Sequence, residues 1–380
     1  MKIIIICGAL DLSKPFGSIP ALWQLFKGLY EEGNELLIIP YHGQAIASLW
    51  WRVFDNPNYY KGVLLETALK VTKHRHGKKN PPFVATAARV LAKPQLERQV
   101  DRILASENDV DALLLIDVPL NQLKGLPSSI KKKHHIPVLF YDIDVPMSLP
   151  SSGGVTFNHY IGADLDEIDC FIIPSEGSVA ELRNLGASQI SIVHFGVDVD
   201  TYTPVSVQKD IDFLFFGYGS RNREDFIKMM ITEPSKRLRY KFLMSGRFLD
   251  TVDIGNAQIT KPLSFTEWRE YCCRSKVNLN ITREPSASVF ATSTSRPFEL
   301  AAMQCCIVSS PSNGLEKWFE IGKEVLVAHS AEEFIELYKM LINDDELRLK
   351  MGYLAYDRVK KEHTARHRAR QIMQIIKQYL

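Results

Sequence analysis

Residues 2–39 read KIIIICGALDLSKPFGSIPALWQLFKGLYEEGNELLII, and this stretch decides the fold class. Ile3–Cys7 is a near-continuous aliphatic run and Glu35–Ile39 is a second one. Runs without polar alternation suit strands covered on both faces, as in a parallel sheet. Between them Ile19–Glu32 repeats Leu22, Leu25, Phe26 and Leu29 at helical spacing and ends at Gly33, a residue suited to stopping a helix. Strand, helix, strand predicts a βαβ unit and an α/β class. The opening residues look superficially like a secretory leader. Asp11 and Lys14 follow the apolar run at once, and no small-residue cleavage site appears, so a buried first strand is expected.

Working outward, further strand-like runs occur at Ala112–Ile116, Val138–Tyr141, Cys170–Ile173 and Ile190–His194. Residues 42–108 break the rhythm and read as an insertion of helices. A second alternating series begins after Pro204, with strands expected at Asp212–Phe216, Tyr240–Met244, Val277–Asn280, Cys305–Ser309 and Glu324–Ala328. Helices are expected between them near Asn222–Ile231, Phe265–Arg274, Arg296–Met303 and Ala331–Leu341, and the chain closes with two helical segments. The expected organisation is therefore two Rossmann-like domains, residues 1–200 and 205–362, with a tail helix at 363–380. Ligands in such sheets bind beyond the carboxyl ends of the strands.

The 380 residues are 46% hydrophobic, 24% charged and 10% aromatic, a globular composition with material for two cores. Disorder, collagen-like repeats and a disulfide scaffold are excluded. Lys plus Arg is 46 and Asp plus Glu is 44, a net charge of +2, which argues against a nucleic-acid partner. The six cysteines (Cys7, Cys170, Cys272, Cys273, Cys305 and Cys306) show neither zinc-site nor disulfide spacing and read as reduced thiols of a cytoplasmic protein. No run approaches the ~18 apolar residues of a membrane-spanning helix. Peripheral contact with the inner membrane face stays open, because basic clusters at Lys73–Lys79 and Lys131–His135, the first near Trp50-Trp51-Arg52, suit either an anionic surface or a solvated face.

The strongest chemical signal is Ser293-Thr294-Ser295-Arg296-Pro297-Phe298-Glu299. Hydroxyl residues running into a helix make an N-terminus suited to a phosphate, Arg296 adds a fork of donors, and Glu299 one turn in suits sugar hydroxyls. An ordinary capped helix explains the same spacing. Arg283 follows a strand on the same side. Phe216-Gly217-Tyr218-Gly219-Ser220-Arg221 is a strand-to-helix turn whose Gly217 and Gly219 would let backbone approach a phosphate, unless it is only a tight turn. Ser245-Gly246-Arg247 repeats that logic and adds Arg247. Asp142-Ile143-Asp144 follows a strand in the first domain. It reads as a metal-binding D-x-D, as strand-end carboxylates serving an acceptor as base, or as loop capping beside Pro146. Asp117 is a weaker candidate of the same kind, and His42 suits a base or a satisfied loop position.

Phe195-Gly196-Val197-Asp198…Pro204 resembles the linker of nucleotide-sugar glycosyltransferases of the GT-B fold. Ser295–Glu299, Gly322–Val325, Ala331–Glu333, Asp344–Arg348, Gly352 and His363–Arg368 resemble the C-terminal half of the CgeB-like spore-protein glycosyltransferases. The resemblance covers about residues 190–370. It implies two domains facing across a cleft, with the tail helix crossing back to the first, and hexosyl transfer from a nucleoside diphosphate sugar, UDP- or GDP-linked, to an acceptor hydroxyl. It places Glu299 on the ribose, so that Glu299→Ala weakens donor binding with little loss of stability. It puts Thr294, Ser295 and Arg296 near the diphosphate, and Arg283, Gly217, Gly219, Arg221 and Arg247 on the donor side. Gly17 and Ser18 fall in an acceptor-side loop with His42, and Asp142 and Asp144 supply the catalytic carboxylates. No metal and no cofactor beyond the donor is implied, and the acceptor is a glycan, lipid-linked or a small molecule. The chain departs from the pattern at Gln304-Cys305, where a glycine is usual, and at Ala291, where retaining families carry a second glutamate. A two-domain sugar-nucleotide epimerase and a catalytically degenerate sugar-binding subunit are the competing readings.

Overall fold

A computed structural model describes residues 1–10, 21–63, 82–152 and 159–380. The candidates Gly17 and Ser18 and the basic cluster Lys73–Lys79 lie outside the described residues. Two compact units are present.

Among the described residues the first unit contains seven strands: β1 (Lys2–Ala9), β2 (Glu35–His42), β3 (Arg52–Val53), β4 (Ala112–Ile116), β5 (Val138–Tyr141), β6 (Cys170–Ile173) and β7 (Ile190–Ile192). They form one sheet in the order β3-β2-β1-β4-β5-β6-β7, with every neighbouring pair parallel. Ile3–Cys7 and Ala112–Ile116 are wholly buried, as continuous apolar runs require when helices cover both faces. The helix Ala21–Glu31 ends where Gly33 takes φ +80° and Asn34 N–H bonds back to the Leu29 carbonyl. The chain's last residues, Ala369–Leu380, pack in this unit: Arg370 forms a two-pronged ion pair with Glu32 at 2.8 Å, and Asn34 reaches Met373.

One expectation needs correction here. Residues 42–108 are not simply a helical insertion. Arg52-Val53 pairs with Leu37-Ile38 as an edge strand, and the helix Lys93–Ser106 is a crossover whose Leu96, Val100 and Ile103 lie in the sheet's own core. That helix is polar outside its one apolar stripe, so its composition hid its structural place.

The second unit holds β8 (Ile211–Tyr218), β9 (Phe242–Arg247), β10 (Gln258–Ile259), β11 (Ser275–Asn280), β12 (Ile307–Ser309) and β13 (Val325–Val327). Their order is β10-β9-β8-β11-β12-β13, again all parallel. Residues 21–25 and His194–Arg368 belong to it. Cores on both faces cover the sheet, one centred on Trp268, Phe298 and Trp318, the other on Phe213, Phe334 and Tyr338. β9 runs on through Ser245-Gly246-Arg247, past the expected end at Met244, and β12 starts late because Gln304 turns the chain with φ +56°. All six cysteines are buried and free.

Candidate active site

In the second unit, the carboxyl ends of β8, β9 and β11 and the start of the helix Ser295–Ala302 carry the candidates. Glu299 is 1% exposed. Its Oε2 lies 3.0 Å from the Arg296 guanidinium, and its Oε1 accepts from the Tyr202 hydroxyl at 3.3 Å and the Gln24 amide at 3.4 Å. The Arg296 guanidinium sits over Trp268 at 4.5 Å and Phe216 at 4.9 Å. Gln24 also accepts from the Asp198 N–H at 2.8 Å, which ties the linker to the same group. A buried carboxylate so enclosed is already oriented, and a cation over two aromatic faces is held without a full hydration shell. Truncating Glu299 would strand the half-buried Arg296 guanidinium, so a loss of stability is expected beside the weaker donor binding.

The hydroxyls divide unequally. The Ser293 hydroxyl accepts from the Phe195 N–H at 3.0 Å, so it braces the linker. Thr294 occupies the cap position in extended conformation without capping through its side chain, and Ser295 opens the helix, both half-buried. Arg283 stands immediately after β11, before the short helix Glu284–Ser288, and is half-buried. Arg221 is exposed in the turn after β8, and Arg247 ends β9. Arg223, passed over in the sequence, donates to the carbonyls of Ile281 at 2.9 Å and Tyr218 at 3.5 Å, joining the ends of β11 and β8.

The glycines answer first to the protein's own backbone. A Cβ on Gly246 would lie 1.7 Å from the Gly217 carbonyl oxygen, and one on Gly219 would lie 2.1 Å from that of Phe248. Gly217, Gly219 and Gly246 thus permit two adjacent strand ends to meet, whatever else approaches them. Ala291 is fully buried at φ +48°, and Gly314 packs against it closely enough that a Cβ there would sit 2.6 Å from the Ala291 nitrogen. A glutamate at 291 would be both strained and without room in this packing.

In the first unit, polar side chains gather at the carboxyl ends of β4 and β5. Asp142 is wholly buried, and its carboxylate accepts from Ser148 at 2.5 Å, Tyr160 at 2.6 Å and the Asp144 N–H at 2.9 Å. Burial raises its pKa against those hydrogen bonds. Asp117 takes φ +51° after β4, and its Oδ1 is buried with no hydrogen-bond partner among the described residues. Burial and the neighbouring Asp144 and Asp142 push its pKa well above the ordinary value. His159 is fully buried, and burial lowers its pKa to about 3, so the ring is neutral at physiological pH. Ligand atoms of Asp117, Asp142 and His159 lie within 4.8 Å of one another. Such a set can share a proton or a divalent ion, and it is not the D-x-D pair, because Asp144 stands outside it. His42 is exposed at the end of β2, edge-on to Tyr41 at 4.7 Å.

The sequence missed Gln24, Tyr202 and Trp268, and also His159 and Tyr160, because nothing local marks them. Each meets its partner through the tertiary fold. Within the basic run, Lys131 faces Asp169 at 2.9 Å, Lys133 faces Glu97 at 2.8 Å and His134 faces Asp101 at 2.8 Å.

Residues 223–374 match the family model described as Glycosyl transferase-like. No curated protein matches the chain in sequence. Among solved structures, it is similar to a sucrose-phosphate synthase from Thermosynechococcus elongatus, with 12% identity, 99% of this chain and 98% of that chain covered, and a TM-score of 0.70. A glycosyltransferase from Rickettsia africae aligns at 14% identity over 100% of this chain and 98% of that one, with a TM-score of 0.62. HepE from Anabaena, in complex with UDP-glucose, aligns at 11% identity over the whole of both chains, with a TM-score of 0.63. The α/β architecture with its two parallel sheets is thus the GT-B fold.

Proposed function

We propose that this chain, a glycosyltransferase of the GT-B fold, takes its sugar from a UDP- or GDP-sugar and places it on an acceptor hydroxyl with no metal on the leaving diphosphate. The observation that carries this reading is the buried Glu299, oriented by Arg296, Tyr202 and Gln24 at the first turn of a helix beside the strand ends. A carboxylate fixed in advance accepts two vicinal hydroxyls at little further entropic cost, which suits a ribose. Arg283, Arg247 and Arg221 supply positive charge at the same strand ends, with Thr294 and Ser295 at the helix start. The bond from the anomeric carbon to the diphosphate breaks, the acceptor oxygen takes its place, and the diphosphate leaves with the bonding electrons. Fixed cations and N–H groups would stabilise that developing charge.

The acceptor proton goes to the Asp117–Asp142–Asp144 group of the first unit. Asp142 is saturated with hydrogen bonds and acts as a positioning group, whereas Asp117 has the raised pKa and the unengaged oxygen that a base requires. Glycans, small molecules and lipid-linked sugars are the acceptor classes. The lipid-linked class gains support from exposed apolar residues of the first unit, Tyr60 and Val63 beside Val90 and Leu91, which Lys61 and Asn58 join through the carbonyls of Leu91 and Ala92.

Thermal shift with UDP, GDP, ADP and dTDP tests the donor. A nucleotide at a hundred times its dissociation constant stabilises by about 2.7 kcal/mol. A rise in melting temperature with UDP or GDP is expected, and none with any nucleotide would refute the donor reading.

A further inference from the structure

Tyr218 and Phe248 are large aromatic residues that the fold leaves outside, at 39% and 61% exposure. They close two adjacent strands, Tyr218 ending β8 and Phe248 following β9, and their rings lie 6.3 Å apart at 30° to one another. That is the edge at which parallel sheets receive ligands. Phe248 is held there at a conformational cost, since its φ is +58°, a region a bulky side chain rarely enters. Its carbonyl is fixed from two sides. Thr251 donates to it from both its N–H and its hydroxyl, and Gly219 packs so closely that a Cβ would clash at 2.1 Å. The backbone is strained and fixed, yet the ring it presents gains little burial within the protein.

The pair is in register with the donor candidates. Phe216 and Tyr218 alternate by two on β8 and so share a face of the sheet, with Tyr218 about 7 Å nearer the edge. Phe216 is the ring over which Arg296 lies, and Arg296 pairs with Glu299. Two further cations flank the site: Arg247, opposite Tyr218 in the strand register, and Arg223, which donates to the Tyr218 carbonyl. A flat aromatic face beside guanidinium groups fits a ligand that is itself flat at one end and anionic at the other. A neutral acceptor sugar has no use for the second feature, and a nucleoside diphosphate has both.

We propose that Tyr218 and Phe248 form the surface on which the nucleobase of the donor stacks. The proposal rests on the donor reading given above. It assigns to this pair the part of the affinity that comes from the base, as distinct from the ribose and phosphates.

The test is calorimetric titration of the full chain with UDP, GDP and ribose 5-diphosphate, which lacks a base. The wild type is expected to prefer a base-bearing ligand by about fivefold to a hundredfold, the usual worth of one base stack. The Y218A/F248A double variant should lose that preference and keep its affinity for ribose 5-diphosphate. Phe248→Leu, similar in bulk, should lose most of the preference with an unchanged melting temperature, and Phe248→Tyr should retain it. Glu299→Gln should weaken all three ligands alike, which reports on the donor reading alone. Preference surviving in the double variant, or equal loss for ligands with and without a base, would overturn the stacking role while leaving the donor reading intact. A wild type that binds none of the three would overturn both.

Discussion

Replacing Glu299 by alanine should destabilise the second unit as well as weaken donor binding. The carboxylate is 1% exposed, and its removal leaves the Arg296 guanidinium, the Tyr202 hydroxyl and the Gln24 amide facing a hole. Breaking a buried ion pair from one side costs about 3–5 kcal/mol, and the stack of Arg296 on Trp268 and Phe216 returns part of it, so a loss of about 3 kcal/mol is expected. For a unit of this size that corresponds to a fall of about 6–12 °C in its melting temperature. Glu299→Gln keeps the volume and one acceptor oxygen, so it should lose about half as much. Arg296→Met should relieve the stranded charge, making the double variant E299A/R296M less destabilised than the sum of its parts. Differential scanning calorimetry reads the shift, and a urea titration followed by tryptophan fluorescence gives the same comparison. If Glu299→Ala melts within about 1 °C of the wild type, or if the two substitutions simply add, the buried pair does not exist as described. The donor effect is then read at a temperature where the variant is folded, as a loss of roughly tenfold to a hundredfold in nucleotide affinity.

Three further outcomes are expected. Transfer should survive EDTA if, as proposed, cations of the second unit hold the diphosphate; loss in EDTA with recovery in magnesium or manganese would instead make Asp117, Asp142 and His159 a metal site. Asp117→Asn should stabilise the protein at neutral pH. The folded pKa of Asp117 is raised, so its ionisation opposes folding as pH climbs from the unfolded value through the folded one, and the gain should vanish below about pH 4 in melts run across pH. Gly246→Ala, at φ +146° with its Cβ directed 1.7 Å from the Gly217 oxygen, should cost more than about 3 kcal/mol by urea titration, because both atoms in conflict are fixed by backbone.

The central strands were legible because burial on both faces demands a run of aliphatic residues, and Ile3–Cys7 or Ala112–Ile116 has no other use. β3 and β10 were not, since a two-residue edge strand is defined by the neighbour it pairs with, and Arg52-Val53 and Gln258-Ile259 carry no local signal. The site divides along the same line. Arg296 and Glu299 stood out because they share one turn of a helix with a hydroxyl-rich lead. Tyr202 and Gln24 stand 97 and 275 residues from Glu299 and could be found only by folding the chain. Ser293 shows the converse hazard: a hydroxyl that suits a phosphate in sequence is used by the backbone of Phe195. Asp142 was singled out for its place after a strand, but its neighbours Ser148 and Tyr160 turn it inward, and the less prominent Asp117 has the open oxygen.

The placement of Ala369–Leu380 in the first unit bears on how the protein is made. Glu32 and Asn34 find their partners Arg370 and Met373 more than three hundred residues later, so the first sheet emerges from the ribosome long before its last helix is synthesised. Domains ordinarily fold in the order of synthesis. Here the amino-terminal unit lacks its last helix for as long as β8–β13 are being translated. The second unit needs Gln24 and the linker around Asp198, both of which precede it in the chain, so it has what it requires as soon as Arg368 is out. The later-made unit thus has all its residues twelve positions before the first unit has its own, and the buried Ile372, Ile375 and Ile376 are the apolar side chains the first unit lacks until the end of synthesis.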